Sequence, residues 1–283
     1  MTDRRVRARR TTRLGSHWDA HLLLAVGGLT MVFPFLWQLK LSLSSRSEAT
    51  ATPINWWPEV LKWENYVRVF EQIPMLDHLG VTVTYAAIRI VSELFLCSLA
   101  GYAFARMEFP GKKIMFAVML SILMVPGQVY LIPQYELIQR LGWVDTMLGL
   151  VAPGLVSAFG VFLMMQFFRK LPKELEESAR LDGCNPWQTY WRIMLPLSKP
   201  ALISFGIITL LGSWNNLLWP LVVINDNQKT PLAVGLAVLQ GGFSGTDYPV
   251  LMAASLMAML PVFVLFVLLQ RQVIDGIAMS GLK

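Results

Sequence analysis

Two charged residues lie deep inside an apolar stretch of this sequence, where ionisable side chains are costly and often functional. Arg89 and Glu93 are the only clear charges within such a stretch. Their spacing of four residues places them on one face of a helix, where they can neutralise each other. A pair of this kind can line a water-filled gate, and it can also be a satisfied ion pair that tunes helix packing. The sequence leaves both interpretations open.

A second set of polar residues further along the chain has chemistry that suits a sugar. Asn215, Asn216 and Trp219 follow Ser213 in another apolar segment. Amide groups hydrogen-bond hydroxyl groups, and indole rings pack against the apolar faces of sugars. We expect Asn216 and Trp219, three residues apart, to share one helix face. With Arg89 and Glu93 these residues form a candidate path for a polar solute, and hydrogen bonding between neighbouring helices is the competing interpretation.

Nucleophilic catalysis finds little support. Residues 242–245 read Gly-Phe-Ser-Gly, a short pattern shared with intramembrane serine proteases, which need a membrane histidine as the base. The three histidines lie at the edges of apolar segments or outside them: His17, His21 and His78. We therefore interpret Ser244 as a turn residue and expect no catalytic residue.

Cofactor-binding patterns are also absent from the sequence. No phosphate-binding motif GxxxxGK(S/T) occurs, so the chain cannot hydrolyse ATP by that route. Cys97 and Cys184 have no metal-ligating neighbours, and we expect neither a disulfide nor a metal site.

The composition indicates an integral membrane protein. Of 283 residues 55% are hydrophobic and only 15% are charged, against roughly 25% charged residues in soluble domains. A membrane-spanning helix needs about 20 mostly apolar residues. Six segments qualify: Leu22–Leu39, Val81–Phe104, Ile114–Ile138, Met147–Phe168, Ala201–Ile224 and Val250–Leu269. We predict an all-α membrane protein with six transmembrane helices, some of them interrupted at Pro126-Gly127, Pro153-Gly154 and Pro261.

The distribution of basic residues sets the expected orientation. One side of the predicted membrane carries 17 Lys and Arg residues in its tails and connections, and the other side carries 6. Basic residues favour the cytoplasmic side, so we expect both termini there. The expected organisation is a basic cytoplasmic tail over 1–21, a six-helix domain over 22–270 and a cytoplasmic tail over 271–283. Folded basic domains that bind nucleic acid are not indicated.

The connection over 172–198 is polar and has clear helix signals. Lys173 to Leu181 favour a helix, which Gly183 can end by adopting a left-handed conformation. Asn185 can cap the next helix, Pro186 fits its first position, and Gln188 stands at the capping-box position. We predict two short helices that meet at a glycine elbow, with Pro196 breaking the second.

The same connection carries a family pattern. Glu-Ala-Ala, three residues, Gly, nine residues and Ile-x-Leu-Pro is the coupling loop of ATP-driven import permeases, and six positions match: Glu177, Ala179, Gly183, Ile193, Leu195 and Pro196. Ser178 and Cys184 stand where the family more often has Ala. Further resemblances cover most of the chain: Gly101 to Arg106, Pro110 to Lys112, Trp214 to Leu221, and Gln270 to Gly281. The chain thus resembles the permease subunit of an ABC importer of the carbohydrate branch, similar to the maltose-type second permease.

This resemblance implies a fold, a set of partners and a docking site. It implies the type I ABC importer permease fold, a bacterial inner membrane, a second homologous permease, two ATPase subunits that bind ATP and magnesium, and an exported solute-binding protein. This chain itself would bind no cofactor. The residues implied in ATPase coupling are Glu177, Ser178, Ala179, Asp182, Gly183, Ile193, Leu195 and Pro196, of which we expect Glu177 and Ala179 to face the ATPase.

Two questions stay open at this point. An ion-coupled secondary transporter is the main alternative, although it usually needs membrane carboxylates and only Glu93 is available. The exported connection from Lys40 to Gly80 holds Trp56, Trp57 and Trp63, which could anchor the membrane interface or dock the solute-binding protein. The particular sugar, or a derivative such as a glycerol phosphate, is not indicated.

Overall fold

The computed structural model describes residues 18–241 and 245–281, and in these ranges every regular element is helical. The α-helices are α1 Trp18–Ser42, α2 Arg46–Ala49, α3 Glu64–Gln72, α4 Met75–Arg106, α5 Lys112–Ser121, α6 Leu131–Arg140, α7 Met147–Val151, α8 Ala158–Lys170, α9 Glu174–Leu181, α10 Pro186–Thr189, α11 Leu195–Leu197, α12 Lys199–Trp214, α13 Leu218–Val223, α14 Leu232–Val238 and α15 Tyr248–Gly281. Shorter 3-10 turns and one π-helical turn join several of them. The basic residues of the N-terminal tail, His17 and Ser244 lie outside the described residues.

Three helices are continuous and long enough to cross a membrane. They are the apolar part of α1 over Ala20–Ser42, α4 over Met75–Arg106, and the apolar part of α15 over Tyr248–Leu268. They correspond to the first, second and sixth predicted segments. Pro261 lies inside α15 without ending it.

Three further stretches are pairs of helices joined at a bend, and the third of these begins in the polar connection over 172–198. Lys112–Met124 and Gly127–Arg140 meet at 99°, Met147–Gly154 and Ala158–Lys170 at 45°, and Pro186–Leu197 and Lys199–Trp214 at 76°. Pro126-Gly127 and Pro153-Gly154 lie at or beside the first two breaks, as the sequence predicts. Proline removes a backbone donor, and such breaks are stable in a membrane where other groups satisfy the freed carbonyls.

The fifth predicted segment, Ala201–Ile224, is not one helix. Helix α12 ends at Trp214, and α13 begins at Leu218. In a continuous helix the nitrogen of residue 220 would donate to the carbonyl of Asn216, but Pro220 has no N–H. Instead Pro220 falls in the first turn of α13, where the missing donor is harmless. The Asn215–Leu217 break follows from this proline.

Helix α4 lies at the centre of the packed interior. It packs against α8 and α12, with further contacts to α7 and α14, and α1 packs against α15. Gly101 lets α4 and α8 approach closely, because a β-carbon there would lie 2.8 Å from the Cβ of Met164. One buried cluster around α4, α8 and α12 contains Cys97, Tyr102, Val161, Met164, Phe168, Tyr190, Met194, Ala201 and Phe205.

The connection between α1 and α4 is ordered by its own polar contacts. The side chain of Asn65 donates 2.9 Å hydrogen bonds to the carbonyls of Ser42 and Ser44, which closes the end of α1. Helix α3 is short and amphipathic, and it packs on α15. Trp56 and Trp57 remain exposed on the surface of this connection.

Candidate functional sites

The polar connection between α8 and α12 forms the predicted elbow. Helix α9 ends at Leu181, and Gly183 has a φ of +81°. Asn185 and Gln188 then form a reciprocal capping box, with N–H···O distances of 2.8 and 3.0 Å. Pro186 occupies the first position of α10. Both helices and the turn between them therefore have the local structure that the sequence predicts.

Burial divides the predicted coupling residues into two groups. The exposed ones are Glu177, Ser178, Asp182, Gly183 and Pro196, whereas Ile193 and Leu195 are half-buried and pack against the cluster around Phe168 and Tyr190. Ala179 is buried, with 3% of its surface exposed. This burial argues against direct contact of Ala179 with a partner, because α9 is amphipathic and its inner face carries Glu176 and Ala179. The coupling role of these residues stays a prediction.

Exposed apolar side chains at the elbow were missed by the sequence analysis. Leu181 is 90% exposed, and Trp187 is 52% exposed on the following helix. Contiguous exposed apolar groups can form a contact surface for another protein, and Leu181 and Trp187 are candidates for such a surface. Leu181 is the last residue of α9, and a helical projection of 174–181 places it on a different face from Ala179. The amphipathic pattern of α9 could therefore have predicted the exposure of Leu181.

The second helical stretch of this connection continues past the predicted stop. Tyr190–Met194 is a π-helical turn, in which the N–H of Leu195 donates to the carbonyl of Tyr190 five residues back. Pro196 then lies in the first turn of α11, and the helix ends at Leu197. The sequence predicts a helix that stops before Pro196, but the helix continues to Leu197. The π turn has already shifted the hydrogen-bond register ahead of the proline, so the missing N–H of Pro196 does not end the helix.

Two buried polar contacts join this connection to α4. The guanidinium of Arg106 lies 3.4 Å from a carboxylate oxygen of Glu176, and the hydroxyls of Ser98 and Tyr190 are 2.8 Å apart. No sequence pattern singles out Ser98, Glu176 or Tyr190, and Arg106 belongs to a family motif only. Their partners lie from 70 to 92 residues apart in sequence, which no local pattern reveals.

A cavity of about 310 Å³ lies where the broken segments meet α4. Its lining is mixed polar and apolar: Tyr85, Arg89, Gly127, Gln128, Tyr130, Leu131, Gln134, Leu150, Pro153, Gly154, Asn216, Leu218 and Trp219. It therefore includes residues from the breaks at Pro126-Gly127, Pro153-Gly154 and Asn215–Leu217. Its wall places hydrogen-bonding groups beside aromatic rings, which suits a polyhydroxylated solute.

A polar network holds one wall of this cavity. Arg89 forms an ion pair with Glu93, and its Nε and Nη1 donate to the carbonyl of Gly154 at 3.2 Å and to the hydroxyl of Tyr85 at 3.3 Å. The second oxygen of Glu93 accepts from Thr209 at 2.9 Å. The charge of Arg89 is thus compensated by a carboxylate buried behind it.

The predicted path residues do not all meet. Asn216 and Trp219 line the cavity with Arg89, and the amide of Asn216 donates to Tyr85 Oη at 2.9 Å. Their grouping does not come from a shared helix face, because Asn216 precedes α13. Glu93 is buried behind the lining. Asn215 is exposed, lines a separate cavity with Trp214 and donates to the carbonyl of Leu211.

Between α6 and α7, one carboxylate ties two connections together. Asp145 has a φ of +61°, and one of its oxygens accepts the backbone N–H groups of Asn225 and Asp226, the latter at 3.0 Å. Hydrogen bonds to the charged form favour it, so these two N–H groups lower the pKa of Asp145.

A metal site within residues 18–241 and 245–281 would need several ligating side chains close together. No group of three or more His, Cys, Asp or Glu side chains there is arranged to hold a metal ion. Cys97 and Cys184 are both free thiols.

Known proteins of one kind resemble this chain. Residues 97–277 match the family described as binding-protein-dependent transport system inner membrane component. An arabinooligosaccharides transport system permease, AraQ of Halalkalibacterium halodurans, is 36% identical over 80% of this chain and 81% of its own length. The diacetylchitobiose uptake system permease NgcG of Streptomyces coelicolor is 30% identical over 93% of this chain and 88% of its own length.

One more relative and one solved structure are also similar to this chain. The sn-glycerol-3-phosphate permease UgpE of Pectobacterium atrosepticum is 31% identical over 95% of this chain and 98% of its own length. A chain of a bacterial ABC transporter that imports alginate has the same fold, with a TM-score of 0.79 at 23% identity over 90% of this chain and 95% of that one. The chain accordingly belongs to the binding-protein-dependent transport system inner membrane components, the permease subunits of ABC importers.

Proposed function

We propose that this chain is one of two permease subunits that move a sugar or sugar-like solute into the cytoplasm. An exported binding protein delivers the solute, and two partner ATPase subunits, which bind ATP and magnesium, drive the cycle. The observation that carries this proposal is the capped two-helix loop over 172–198, with Glu177 and Leu181 exposed at its apex. The named substrates of the relatives, arabinooligosaccharides and diacetylchitobiose among them, support a carbohydrate.

The proposed placement is a bacterial inner membrane with six spans and both termini in the cytoplasm. Three continuous helices and the first two bent pairs can supply five spans by length and composition. The sixth span is proposed to be α12 with α13, because Pro186–Leu197 belongs to the connection over 172–198. The excess of Lys and Arg on one side supports the orientation. On this basis residues 1–21 and 271–283 are cytoplasmic tails, and 22–270 form the permease domain.

The ATPase-facing surface is proposed to consist of Glu177, Ser178, Leu181, Asp182 and Gly183. All five are exposed, and they lie on the outer side of α9 and the elbow. Ala179, Ile193 and Leu195 shape the loop from within, and Pro196 lies in its last helical turn. The chain itself contributes neither a catalytic residue nor a cofactor site in this proposal.

The cavity lined by Arg89, Asn216 and Trp219 is proposed to belong to the solute path. Asn216 donates one amide hydrogen to Tyr85, which leaves its carbonyl oxygen available to a solute hydroxyl. Trp219 supplies an aromatic surface, because its N–H is already bonded to the carbonyls of Gly149 and Leu150. The exposed Trp56 and Trp57 are proposed to face the binding protein or the membrane interface.

Reconstituted transport tests this function. The chain is co-expressed with its partner permease, ATPase and binding protein, and the purified complex is placed in proteoliposomes with ATP inside and radiolabelled sugars outside. We expect uptake that requires the binding protein and stops when the phosphate-binding lysine of the ATPase is replaced. Uptake that persists without ATP and follows a proton or sodium gradient would instead establish the secondary-transporter alternative.

A further inference from the structure

Helix α4 reaches both the cavity and the polar connection over 172–198. It runs unbroken for 32 residues from Met75 to Arg106. Tyr85 and Arg89 line the cavity, whereas Ser98 and Arg106 contact the connection. At 1.5 Å per residue, Arg89 and Arg106 are about 25 Å apart along a single rigid rod.

The first contact is a buried charge cluster at the end of α4. The side chains of Arg106 and Glu176 are only 6% and 10% exposed. Arg106 also donates to the carbonyls of Phe168, at 2.7 Å, and Leu171 at the end of α8. One guanidinium therefore joins α4, α8 and α9. A buried charge is costly unless it is paired, so α9 cannot move away from α4 without exposing or stranding this pair.

The second contact holds the other half of the connection. The hydroxyl of Tyr190 meets that of Ser98 at 2.8 Å, and both residues are fully buried. Tyr190 lies in the π-helical turn, and such turns often occur at functional sites. Its ring also packs against Tyr102, with centroids 5.4 Å apart.

We propose that Ser98, Arg106, Glu176 and Tyr190 are positioning residues that transmit movement of the connection to the cavity through α4. The two contacts fasten both halves of the connection to one helix, so a displacement of the connection shifts α4 as a unit. Arg89 on the same helix bonds Gly154 at the bend of the fourth apolar segment, which carries the shift into the cavity wall. This proposal rests on the proposed function, since it assigns the route by which ATPase movement reaches the solute path.

A double-mutant cycle tests the hydroxyl pair. Tyr190→Phe and Ser98→Ala each remove one hydroxyl and keep the apolar packing. The measured quantity is solute imported per ATP hydrolysed by the reconstituted complex. We expect each variant to lower this ratio roughly threefold or more, within the range for residues along coupling networks, and the double variant to lower it no further. Tyr102→Phe is the matched control, since its hydroxyl has no hydrogen bond within the described ranges and the ratio should stay unchanged.

Glu176→Gln tests the charge cluster in the same assay. It keeps the side-chain shape and removes the charge opposite Arg106, so the ratio should fall while assembly with the ATPase persists. Glu174→Gln, on the exposed side of α9, is the control and should leave the ratio as it is.

The outcomes separate this inference from the proposed function. If the unaltered complex shows no ATP-dependent uptake, the proposed function fails. If that complex is active and Tyr190→Phe and Glu176→Gln keep the normal ratio, the positioning role is overturned. Loss of assembly in Tyr190→Phe would assign the contact to folding alone, and that result also contradicts the proposal.

Discussion

Gly183 carries a conformation that other residues avoid. Its φ is +81°, and a β-carbon would meet nothing within 4 Å. The cost of a substitution is therefore conformational and not steric. For Gly183→Val we expect a local cost of about 1–3 kcal/mol, a distorted elbow and a loss of ATP-driven uptake at equal expression. Uptake by proteoliposomes is the measurement.

Gly183→Asn is the control for this prediction. Asn tolerates the left-handed conformation better than any β-branched residue, so the variant should keep most of the uptake. Wild-type uptake by Gly183→Val would show that the elbow does not need its left-handed residue.

Asn216→Leu should separate a path residue from a structural one. Removing one hydrogen bond within a membrane costs only about 0.6 kcal/mol on average, so the melting temperature should change little. If Asn216 contacts the solute, uptake should fall severalfold while ATP hydrolysis persists. Asn215→Leu is the matched control, since Asn215 lines a different cavity. Normal uptake with lowered stability would reject the path assignment.

Asp145 should stabilise the link between the α6–α7 connection and the segment after α13 over a wide pH range. Its pKa is lowered below the ordinary 3.8 by two backbone N–H groups. A carboxyl with a lowered pKa contributes stability that is fully present above its unfolded value and is lost as the pH falls through the folded value. The melting-temperature difference between wild type and Asp145→Asn should therefore stay constant down to about pH 4 and shrink only at lower pH. A difference that vanishes near pH 6 would contradict this assignment.

Local signals at single residues were predictable where backbone chemistry decides the outcome. Gly183, Asn185, Pro186 and Gln188 have the predicted structure, because caps and left-handed turns depend on immediate neighbours. The burial of Ala179 was not predictable, because it depends on how α9 packs against distant helices.

At the scale of elements, proline positions predicted the breaks but not the geometry. Pro126 and Pro153 mark two bends, and Pro220 explains the break that the sequence analysis missed. The bend angles and the cavity between the bent pairs could not be predicted, because they depend on which helices pack together. The Arg89 and Glu93 ion pair was predictable, since it lies within one helix.

The close approach of α4 and α8 gives a prediction for element packing. A β-carbon at Gly101 would lie 2.9 Å from the backbone nitrogen of Met165, which cannot move as a flexible side chain does. Gly101→Ala should destabilise the chain by about 1–3 kcal/mol, measured as a lower melting temperature of the purified complex. Gly212→Ala, in α12, is the control because nothing lies within 4 Å of the added carbon. Equal melting temperatures for the two variants would contradict the packing argument.

At the scale of the whole molecule, many large apolar side chains are exposed, from Leu22 in α1 to Phe266 in α15. A lipid bilayer and partner subunits can cover such a surface, and water cannot do so favourably. Composition and the loop motif were sufficient to predict the membrane class and the family. The contacts from α4 to the loop were not predictable, because they join residues far apart in sequence.

Site-directed crosslinking to the ATPase tests the central claim most directly. In a transport-competent complex with Cys184→Ser, single cysteines replace Glu177, Leu181 or Ala179, and Cys97 remains because it is buried. The structure predicts crosslinks to the ATPase from the exposed positions 177 and 181 and little reaction from the buried position 179. If positions 177 and 181 give no crosslink across several spacer lengths while uptake continues, this loop is not the ATPase docking site.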